Sequence, residues 1–429
     1  MKNPFRGLIR ARDAPEQVQD AVSSAPSFAF GTGASGKAVN EQTAMQILTV
    51  YACVRVIAET IASLPMNVYE VDKSGAKKIA ANHPLQYLLH DAPNEEMTSF
   101  TWREQMLTQL LIHGNSYSQI VRNAKTDIVS IYPLLSANMT VDRADDGELT
   151  YEYQTSDGET VMLDPYEVLH IPGLGFDGVM GYSPIALMKS SLGLAIAAEE
   201  YGSAFFKNGA TPGGVLMHPN RPKDLQAVRD SWNKAYGGSA NSGKVAILYE
   251  GMKFERIALP NNEAQFLETR KFETEEICRM YRVPPHMVCD LSHATFSNIE
   301  HSSIDFAVHT IRPWLVRIEQ AVNRALLTER EPGKPAKSGK YFVKINIDGL
   351  MRGDYKSRQE GYAIARQNGW MSADDIRELE DMNPIGEENG GNLYLVNGNM
   401  VPIVKAGEQI QPDNMTGKEE AEKNEGDQA

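Results

Sequence analysis

Cysteine is scarce in this chain of 429 residues, which carries only Cys53, Cys278 and Cys289. Their number is odd, their positions are scattered, and no pair has the C-x-x-C spacing. This pattern argues against a disulfide framework and against a structural zinc site. It is typical of a protein that folds in a reducing cytoplasm, and we expect no metal and no other cofactor.

Long apolar runs are also missing. The most apolar stretch, residues 185–198, is interrupted by Lys189, Ser190, Ser191 and Gly193. No run therefore approaches the roughly 18 apolar residues of a membrane-spanning helix. The basic N-terminal segment lacks the apolar block and the small-residue cleavage site of a signal peptide. We expect neither export nor a membrane partner.

Basic residues are fewer than acidic ones: the chain has 42 Lys and Arg residues and 56 Asp and Glu residues, which gives a net charge of −14. A surface of this sign repels polyanions and argues against a DNA-binding protein with an ordinary basic patch. It does not exclude DNA as a passenger. If the chain formed a ring, a cationic wall would hold a duplex by releasing many counterions, whereas an acidic or neutral wall would let it slide.

Hydrophobic residues make up 42% of the chain, enough to form the cores of two or three domains. Residues 1–40 and 402–429 have the composition of disordered tails. Between them, residues 41–182 combine helix and strand patterns. Apolar residues over 50–64 alternate steps of four and three, which predicts a helix that ends at Pro65. A second helix and several short strands follow, so we predict an α+β domain.

Two long helices are predicted next, over residues 183–209 and 263–288. The first begins at a capping Ser-Pro pair and is rich in Ala and Gly, which would let other helices approach closely. The second is largely polar as far as Tyr281, so it either bridges through solvent or packs on neighbouring chains. Residues 210–262 between them predict a small inset of a strand, a helix and a hairpin.

The C-terminal third begins with a polar, irregular segment at residues 289–302. A long helix follows, and Pro313 inside its pattern predicts a kink. Alternating apolar residues over 341–347 predict a strand. Two short helices come after it, the second capped by Ser372 with Asp375 three residues on.

Two stretches, residues 31–37 and 238–244, match most of a phosphate-binding loop. Each lacks the Ser or Thr that should follow the lysine and hold magnesium, because Ala38 and Val245 stand there. Lys37 also falls in a predicted tail. No residue qualifies as a catalytic nucleophile, so we expect no enzyme activity, and a packaging NTPase remains the alternative that nucleotide turnover would support.

Read in order, the chain resembles the portal family of long-tailed bacteriophages. The segments that carry this resemblance are Ile61-Ala62-Ser63-Leu64-Pro65, His83-Pro84-Leu85, Pro93-Asn94, His113-Gly114-Asn115-Ser116-Tyr117, Leu169-His170-Ile171, Gly181-Tyr182-Ser183-Pro184-Ile185, Phe205-Phe206-Lys207-Asn208-Gly209, Val283-Pro284-Pro285, Pro313-Trp314 and Leu350-Met351-Arg352-Gly353-Asp354. Each segment alone is weak, but their order across the chain is specific.

The resemblance implies the portal fold, assembled as a ring of about twelve copies by head-to-tail contacts. Its domains would be laid out along the chain as follows: a wing at 41–182 and 303–348, a stem at 183–209 and 263–288, a clip at 210–262, a tunnel loop at 289–302 and a crown at 349–401.

The resemblance also implies roles for individual residues. The tunnel loop would touch DNA through Ser292, Thr295, Phe296, Ser297 and Asn298, although an ordinary surface loop is the alternative there. The stem would pack between subunits through Ala195, Ala198, Gly202, Phe266 and Arg270. The clip would meet other proteins through Asp224, Arg229, Trp232 and Lys234.

The function implied is a DNA channel at one capsid vertex of the virion, assembled in the cytoplasm of the host bacterium. Its expected partners are further copies of itself, the terminase large subunit, the major capsid protein and scaffold, the head-tail adaptor and double-stranded DNA. A monomeric cytoplasmic binding module is the third alternative, which light scattering would support by finding one chain per particle.

Overall fold

A computed structural model describes the chain from residue 28 to residue 395, with gaps. The described residues are 28–72, 75–144, 147–207, 214–217, 224–236, 248, 251–256, 262–289, 302–327, 340–347, 350, 355–380 and 382–395. They fall into two compact units, Met1–Met351 and Arg352–Ala429. Both helices and sheets are present, which confirms the α+β class. Among the described helices, none has the length and apolar character needed to cross a membrane.

The α-helices and strands of the first unit have the following bounds in the described part of the chain. In chain order they are β1 Gly31–Thr32, β2 Ala38–Val39, α1 Glu41–Met45, α2 Leu48–Ser63, β3 Met66–Val71, β4 Lys77–Ile79, α3 Pro84–His90, α4 Ser99–His113, β5 Asn115–Arg122, β6 Ile128–Leu134, β7 Met139–Arg143, β8 Leu149–Gln154, β9 Thr160–Leu163, β10 Val168–Pro172, α5 Pro184–Leu187, α6 Lys189–Lys207, β11 Gly214–Met217, α7 Leu225–Tyr236, β12 Lys253–Arg256, α8 Asn262–Tyr281, α9 Arg312–Val322 and β13 Tyr341–Ile345.

The centre of the first unit is the pair α2 and α4. The predicted stripe of α2 is confirmed, because Val50, Val54, Ile57 and Ile61 are buried. The helix ends before Pro65, which cannot donate a backbone hydrogen bond. α4 begins where the Thr98 side chain accepts from a backbone N–H of the first turn. α4 packs on β5, β6 and α5, and α2 packs on α8, so this pair connects several elements of the unit.

The first unit also contains three small antiparallel sheets, with strand orders β10-β5-β6, β13-β3-β4 and β7-β8-β9. In the second sheet, β13 pairs with β3 in the register that sets Val343 opposite Val68. The predicted strand near residue 341 is confirmed by this pairing. It joins segments of the first unit that are far apart in sequence.

The helix that carries Pro313 is irregular where the sequence predicts a kink. Residues Phe306–Ile311 form a π-helical segment directly before α9, and a second one, Asn323–Leu327, follows it. Pro313 is the second residue of α9. Because proline has no N–H and its ring clashes with the preceding turn, the regular hydrogen-bond ladder cannot continue through this point.

The prediction that residues 1–40 form a disordered tail is wrong from residue 28 onward. β1 and β2 form a hairpin, Val39 is buried, and Asn40 caps α1 through a capping box with Thr43. The ring of Phe28 packs edge-on against Tyr182 with 5.2 Å between centroids. The reason is that the glycines of this segment allow close packing on α6, which composition alone does not reveal. Residues 402–429 lie outside the described part of the chain.

The second unit contains α10, Tyr355–Gln367, and α11, Ala373–Leu379. The predicted cap of α11 is confirmed: the Asp375 N–H donates to Ser372 Oγ at 3.1 Å, and the Ser372 N–H donates to the Asp375 carboxylate at 2.7 Å. These bonds hold the pKa of Asp375 below its ordinary value. Glu380 joins the two helices by accepting from the Tyr362 hydroxyl at 2.9 Å and pairing with Arg358 at 2.7 Å.

Candidate functional site

The end of α4, the end of β10 and the start of α5 meet in a tight backbone junction. Gly114 ends α4 in the left-handed conformation, at φ 79°. A side chain at Gly114 would overlap the Tyr182 carbonyl, and one at Gly173 would come within 2.8 Å of the Gly114 carbonyl oxygen. The Gly173 N–H donates to that oxygen at 2.7 Å. Glycine is required here because backbones touch directly.

Asn115 is the centre of the junction. Its Oδ1 accepts from the Gly181 N–H at 2.8 Å, and its Nδ2 donates to the Gly181 carbonyl at 2.8 Å. Ser183 continues the connection: its hydroxyl donates to the Ile112 carbonyl at 2.6 Å and accepts from the Ala186 N–H, so it caps α5 as predicted. The start of the α5–α6 segment is therefore fixed relative to α4.

His170 completes the polar part of the junction. Its Nε2 lies 3.1 Å from Asn115 Oδ1, and its Nδ1 lies 3.3 Å from the Tyr151 hydroxyl. Its ring stacks on Tyr117 with 4.5 Å between centroids. Burial lowers the pKa of His170 to about 4. The ring is neutral at pH 7, so Nε2–H donates to Asn115 and Nδ1 accepts from Tyr151.

Arg317 ties α9 to the same junction. One guanidinium nitrogen donates to the carbonyls of Pro172 and Gly173, each at 2.8 Å. Segments around Asn115, His170 and Ser183 carried the family resemblance in the sequence, as did the Pro313 segment. The structure brings these distant segments together, which their spacing could not reveal. The sequence feature that could have indicated this junction was the high density of glycine over residues 173–181.

The two long helices were predicted to find their partners in other copies, and the structure corrects this in part. α6 packs on α8 within one chain, and the C-terminal part of α8 packs on α2. Leu192, Ile277 and Tyr281 are buried there. The last turns of α8 are apolar enough to enter the chain's own core, although the helix as a whole is polar.

The predicted stem residues differ in their surroundings. Ala195 lies in the hydrophobic core of its own chain, and its role in subunit packing stays a prediction. Gly202 is buried, Ala198 is half-buried and Arg270 is exposed, while the side chain of Phe266 lies outside the described part. Gly193 was expected to admit another helix, but it faces the N-terminal hairpin, where an added side chain would come within 2.6 Å of Ser35 Oγ.

Cys53 on α2 and Cys278 on α8 join these helices through a hydrogen bond between their thiols. Both are buried, whereas Cys289 is exposed. The hydrogen bond with Cys278 and burial raise the pKa of Cys53. Nearby, the Tyr281 hydroxyl donates to the Leu111 carbonyl at 3.3 Å. The C-terminal end of α8 is therefore held against both α2 and α4.

The inset is described over β11, α7 and β12. β11 pairs with β12 in antiparallel register, and Asp224 accepts from the backbone N–H groups of Gln226 and Ala227 at the start of α7. Trp232 stacks on Phe254 with 5.5 Å between centroids, so part of its ring holds α7 on the sheet. Arg229 and Lys234 are exposed. The hairpin predicted near the end of this inset is described only in part, because residues 245–249 lie almost wholly outside the described residues.

The predicted loop residues Ser292, Thr295, Phe296, Ser297 and Asn298 all lie outside the described part of the chain, as does the stretch 238–244. Residues 31–37 form the β1–β2 hairpin instead of a strand followed by a helix. Lys37 forms an ion pair with Glu200 of α6. This hairpin therefore does not have the architecture of a phosphate-binding loop.

Comparison with known proteins accounts for this architecture. The family model described as "Phage portal protein" matches residues 48–381. The probable portal protein of Streptomyces phage phiC31 is 36% identical over 395 residues, covering 88% of this chain and 83% of the phage protein. The portal protein of Enterobacteria phage HK97 is 32% identical over 382 residues, covering 88% and 87%.

Solved structures have the same fold. The neck of an empty gene transfer agent particle computed with C6 symmetry matches with a TM-score of 0.56 at 21% identity, covering 85% of this chain and 97% of that one. An HK97-family phage portal protein from Corynebacterium diphtheriae matches with a TM-score of 0.52 at 15% identity, covering 74% and 99%. These matches define the class of protein, which is a structural connector of phage particles. The chain belongs to the phage portal protein family, whose members join the head to the tail.

Proposed function

We propose that this portal subunit assembles into a closed ring of twelve copies that forms the DNA channel at one capsid vertex. The observation that carries the proposal is the family match over residues 48–381, together with two portal relatives that the chain matches over most of their length. A similar structure, the neck of a native gene transfer agent particle, was computed with C12 symmetry. A closed ring of one chain requires head-to-tail contacts between unlike surfaces.

The stem is assigned to α6 and α8. The N-terminal part of α6 packs on the hairpin of β1 and β2, and the C-terminal part of α8 packs on α2. In contrast, Glu199, Tyr201 and Lys271 in the other halves of these helices are exposed. An antiparallel helix pair anchored at one end and exposed at the other suits a channel wall. Residues 41–182 and 303–348 would then be the wing, and 349–401 the crown.

The clip, residues 210–262, is assigned to contacts with the terminase and later with the head-tail adaptor. Arg229 and Lys234 on the exposed side of α7 suit contacts with acidic partner surfaces. Trp232 stacks on Phe254 with part of its ring and would also take part in such a contact. Contacts of the wing with the major capsid protein and scaffold complete the set of partners.

The tunnel loop, residues 289–302, would touch the duplex. Its tip, residues 295–298, is uncharged, and uncharged polar groups contact phosphates without the counterion release that pins DNA. We expect deletion of residues 295–298 to leave ring assembly intact and to impair packaging or retention of DNA. Normal packaging by that deletion would contradict the loop assignment.

In this mechanism the portal hydrolyses nothing. The terminase supplies the energy, while the ring guides DNA, resists backsliding, couples head filling to motor release, and later serves head-tail joining and ejection. The ring would assemble in the host cytoplasm and reside at the capsid vertex of the virion.

Negative-stain electron microscopy of the purified full chain tests the proposal. Rings with a central hole are the expected result. Particles of one chain each, measured by light scattering, would indicate a monomeric binding module and contradict it. Turnover of ATP by the purified chain would instead favour the packaging NTPase.

A further inference from the structure

An open cleft lies in the first unit between α9 on one side and the strands β7, β8 and β10 on the other. Its volume is about 800 Å³. Clefts that bind ligands usually measure roughly 300–1,000 Å³, so this one is large enough to receive several side chains. Its two walls come from segments that are far apart in sequence, residues 143–179 and residues 313–325.

The α9 wall is one continuous stripe of the helix. Arg317, Gln320 and Arg324 follow one another at steps of three and four residues, and all three line the cleft. Gln320 and Arg324 are exposed, whereas the opposite side of α9 is buried in the core of the unit. Polar groups on this stripe are therefore presented to whatever enters the cleft.

Positive charge in the cleft is not balanced by the chain. The Arg317 guanidinium is held by the carbonyls of Pro172 and Gly173, which carry no net charge. Neither Arg317 nor Arg324 forms an ion pair within the described part of the chain, and none of the described lining residues is acidic. The carboxylate of Asp177, at the edge of the cleft, already accepts from two N–H groups of its own loop.

The opposite wall is mainly apolar or aromatic, with Arg143 at one end. Leu149 is half-buried there, and Tyr166 is 41% exposed. The polar atoms of this wall have partners within the chain, because the Tyr151 hydroxyl lies 3.3 Å from the neutral ring of His170. The cleft thus offers arginines on one side and apolar surface on the other.

We propose that this cleft binds an acidic peptide segment of another protein, in which carboxylate side chains alternate with apolar ones. Successive side chains of an extended peptide point to opposite sides, so the carboxylates would meet Arg317 and Arg324 while the apolar side chains would meet Leu149 and Tyr166. Guanidinium groups pair well with carboxylates, which favours this class of ligand. The inference goes beyond the proposed ring and does not depend on it.

The spacing of the two arginines suits such a peptide. They are seven residues apart, which is roughly 10 Å along the helix. Carboxylates at every second residue of an extended peptide are roughly 7 Å apart, so the flexible arginine side chains can reach two of them. The exposed Gln320 amide between the arginines can pair with the peptide backbone.

Two other anionic ligands suit the cleft less well. A small anion such as phosphate would pair with the arginines but leave the apolar wall in water. A DNA duplex is too wide to enter and could touch only the mouth of the cleft, and the net charge of −14 repels it. An acidic peptide with apolar side chains uses both walls.

The probe is a pool of fluorescein-labelled seven-residue peptides with Glu at every odd position and Leu, Val, Phe or Tyr at the even ones. Binding to the full chain is followed by fluorescence anisotropy. The pool should bind at least about 10-fold more tightly than a matched pool with Gln in place of Glu. Raising the salt from about 50 mM to about 500 mM should weaken the binding of the Glu pool.

Three single variants locate the binding. Arg324→Glu should weaken it at least about 10-fold, and so should Gln320→Glu, which places a carboxylate between the two arginines. Arg312→Glu is the matched control, because Arg312 is exposed on the same helix but does not line the cleft, and it should change binding less than about 2-fold. All three side chains are exposed, so circular dichroism and thermal melting should match the wild type.

Several results would overturn the proposal: no binding of the Glu pool, equal binding of the Glu and Gln pools, or an equal effect of Arg312→Glu and Arg324→Glu. Displacement of the pool by an equimolar short DNA duplex would assign the cleft to nucleic acid instead. Loss of self-association by Arg324→Glu in light scattering would assign it to a second copy. Ring formation by the wild-type chain is measured separately by electron microscopy, so the proposed function can fail without affecting this inference.

Discussion

Asn115 and Gly181 exchange two hydrogen bonds of 2.8 Å although they lie 66 residues apart in sequence. The carboxamide thus satisfies both backbone groups of a glycine that has no space for a side chain. This pair sets the direction in which the chain leaves the first sheet and enters α5 and α6. Substitutions at Asn115 and at the other contacts described above should therefore change the stability of the chain by measurable amounts.

Asn115→Ala removes both bonds and leaves the buried Gly181 N–H and carbonyl unpaired. We expect a loss of about 2–4 kcal/mol in the free energy of unfolding, measured by urea denaturation at pH 7. Asn383→Ala, at an exposed position, serves as control and should change stability by less than about 0.5 kcal/mol. An equal effect of both variants would contradict the role given to Asn115.

His170 predicts a specific loss of stability in acid. Its pKa is about 4 in the folded chain and about 6.5 when unfolded, so the unfolded state binds a proton first. The stability that the folded chain gains from a neutral His170 is fully present above pH 6.5 and is lost as the pH falls toward 4. From pH 7 to pH 5 the loss should be about 2 kcal/mol. His170→Gln should show a smaller difference between the two pH values in urea denaturation, and an unchanged difference would refute the assignment.

Gly33→Ala should release the N-terminal hairpin from α6. The added methyl group would come within 2.7 Å of the Lys189 carbonyl oxygen, which is backbone and cannot move aside. We expect a loss of about 1–3 kcal/mol and faster hydrogen exchange over residues 28–40, measured by mass spectrometry. Gly361→Ala on α10 meets nothing within 4 Å and should stabilise its helix by about 0.5–1 kcal/mol.

The three thiols should react at very different rates. Cys289 is exposed, whereas Cys53 and Cys278 are buried at the contact of α2 with α8. Ellman's reagent should therefore modify one thiol per folded chain rapidly, and all three only in denaturant. Fast modification of two or three thiols in the native protein would contradict the described packing. Cys289→Ser should abolish the fast phase.

The sequence predicted the features that depend on local patterns. The buried stripe of α2, the cap at Ser372, the strand at residue 341 and the irregularity before Pro313 all follow from periodicity or from the chemistry of one residue. The family assignment depended on the order of many weak segments and is confirmed. These local predictions succeed because each depends on residues that lie close together in the sequence.

Features that depend on contacts between distant segments were missed. Residues 28–40 have the composition of a tail, but Gly33 and Gly193 let them lie directly on α6. The polar average of α8 concealed that Ile277 and Tyr281 enter the core. Asn115 and His170 were noted as part of a matching pattern without a role, because their partners lie in other segments.

The pairing of β13 with β3 has a consequence for the order of synthesis and assembly. Val68 emerges early from the ribosome, but its strand neighbour Val343 is made only after α6, α7 and α8. Until then, one edge of β3 stays open, and contacts of such high sequence separation form slowly. A nascent chain therefore cannot complete this sheet before translation passes residue 345, and β3 keeps one unpaired edge until that point of its synthesis.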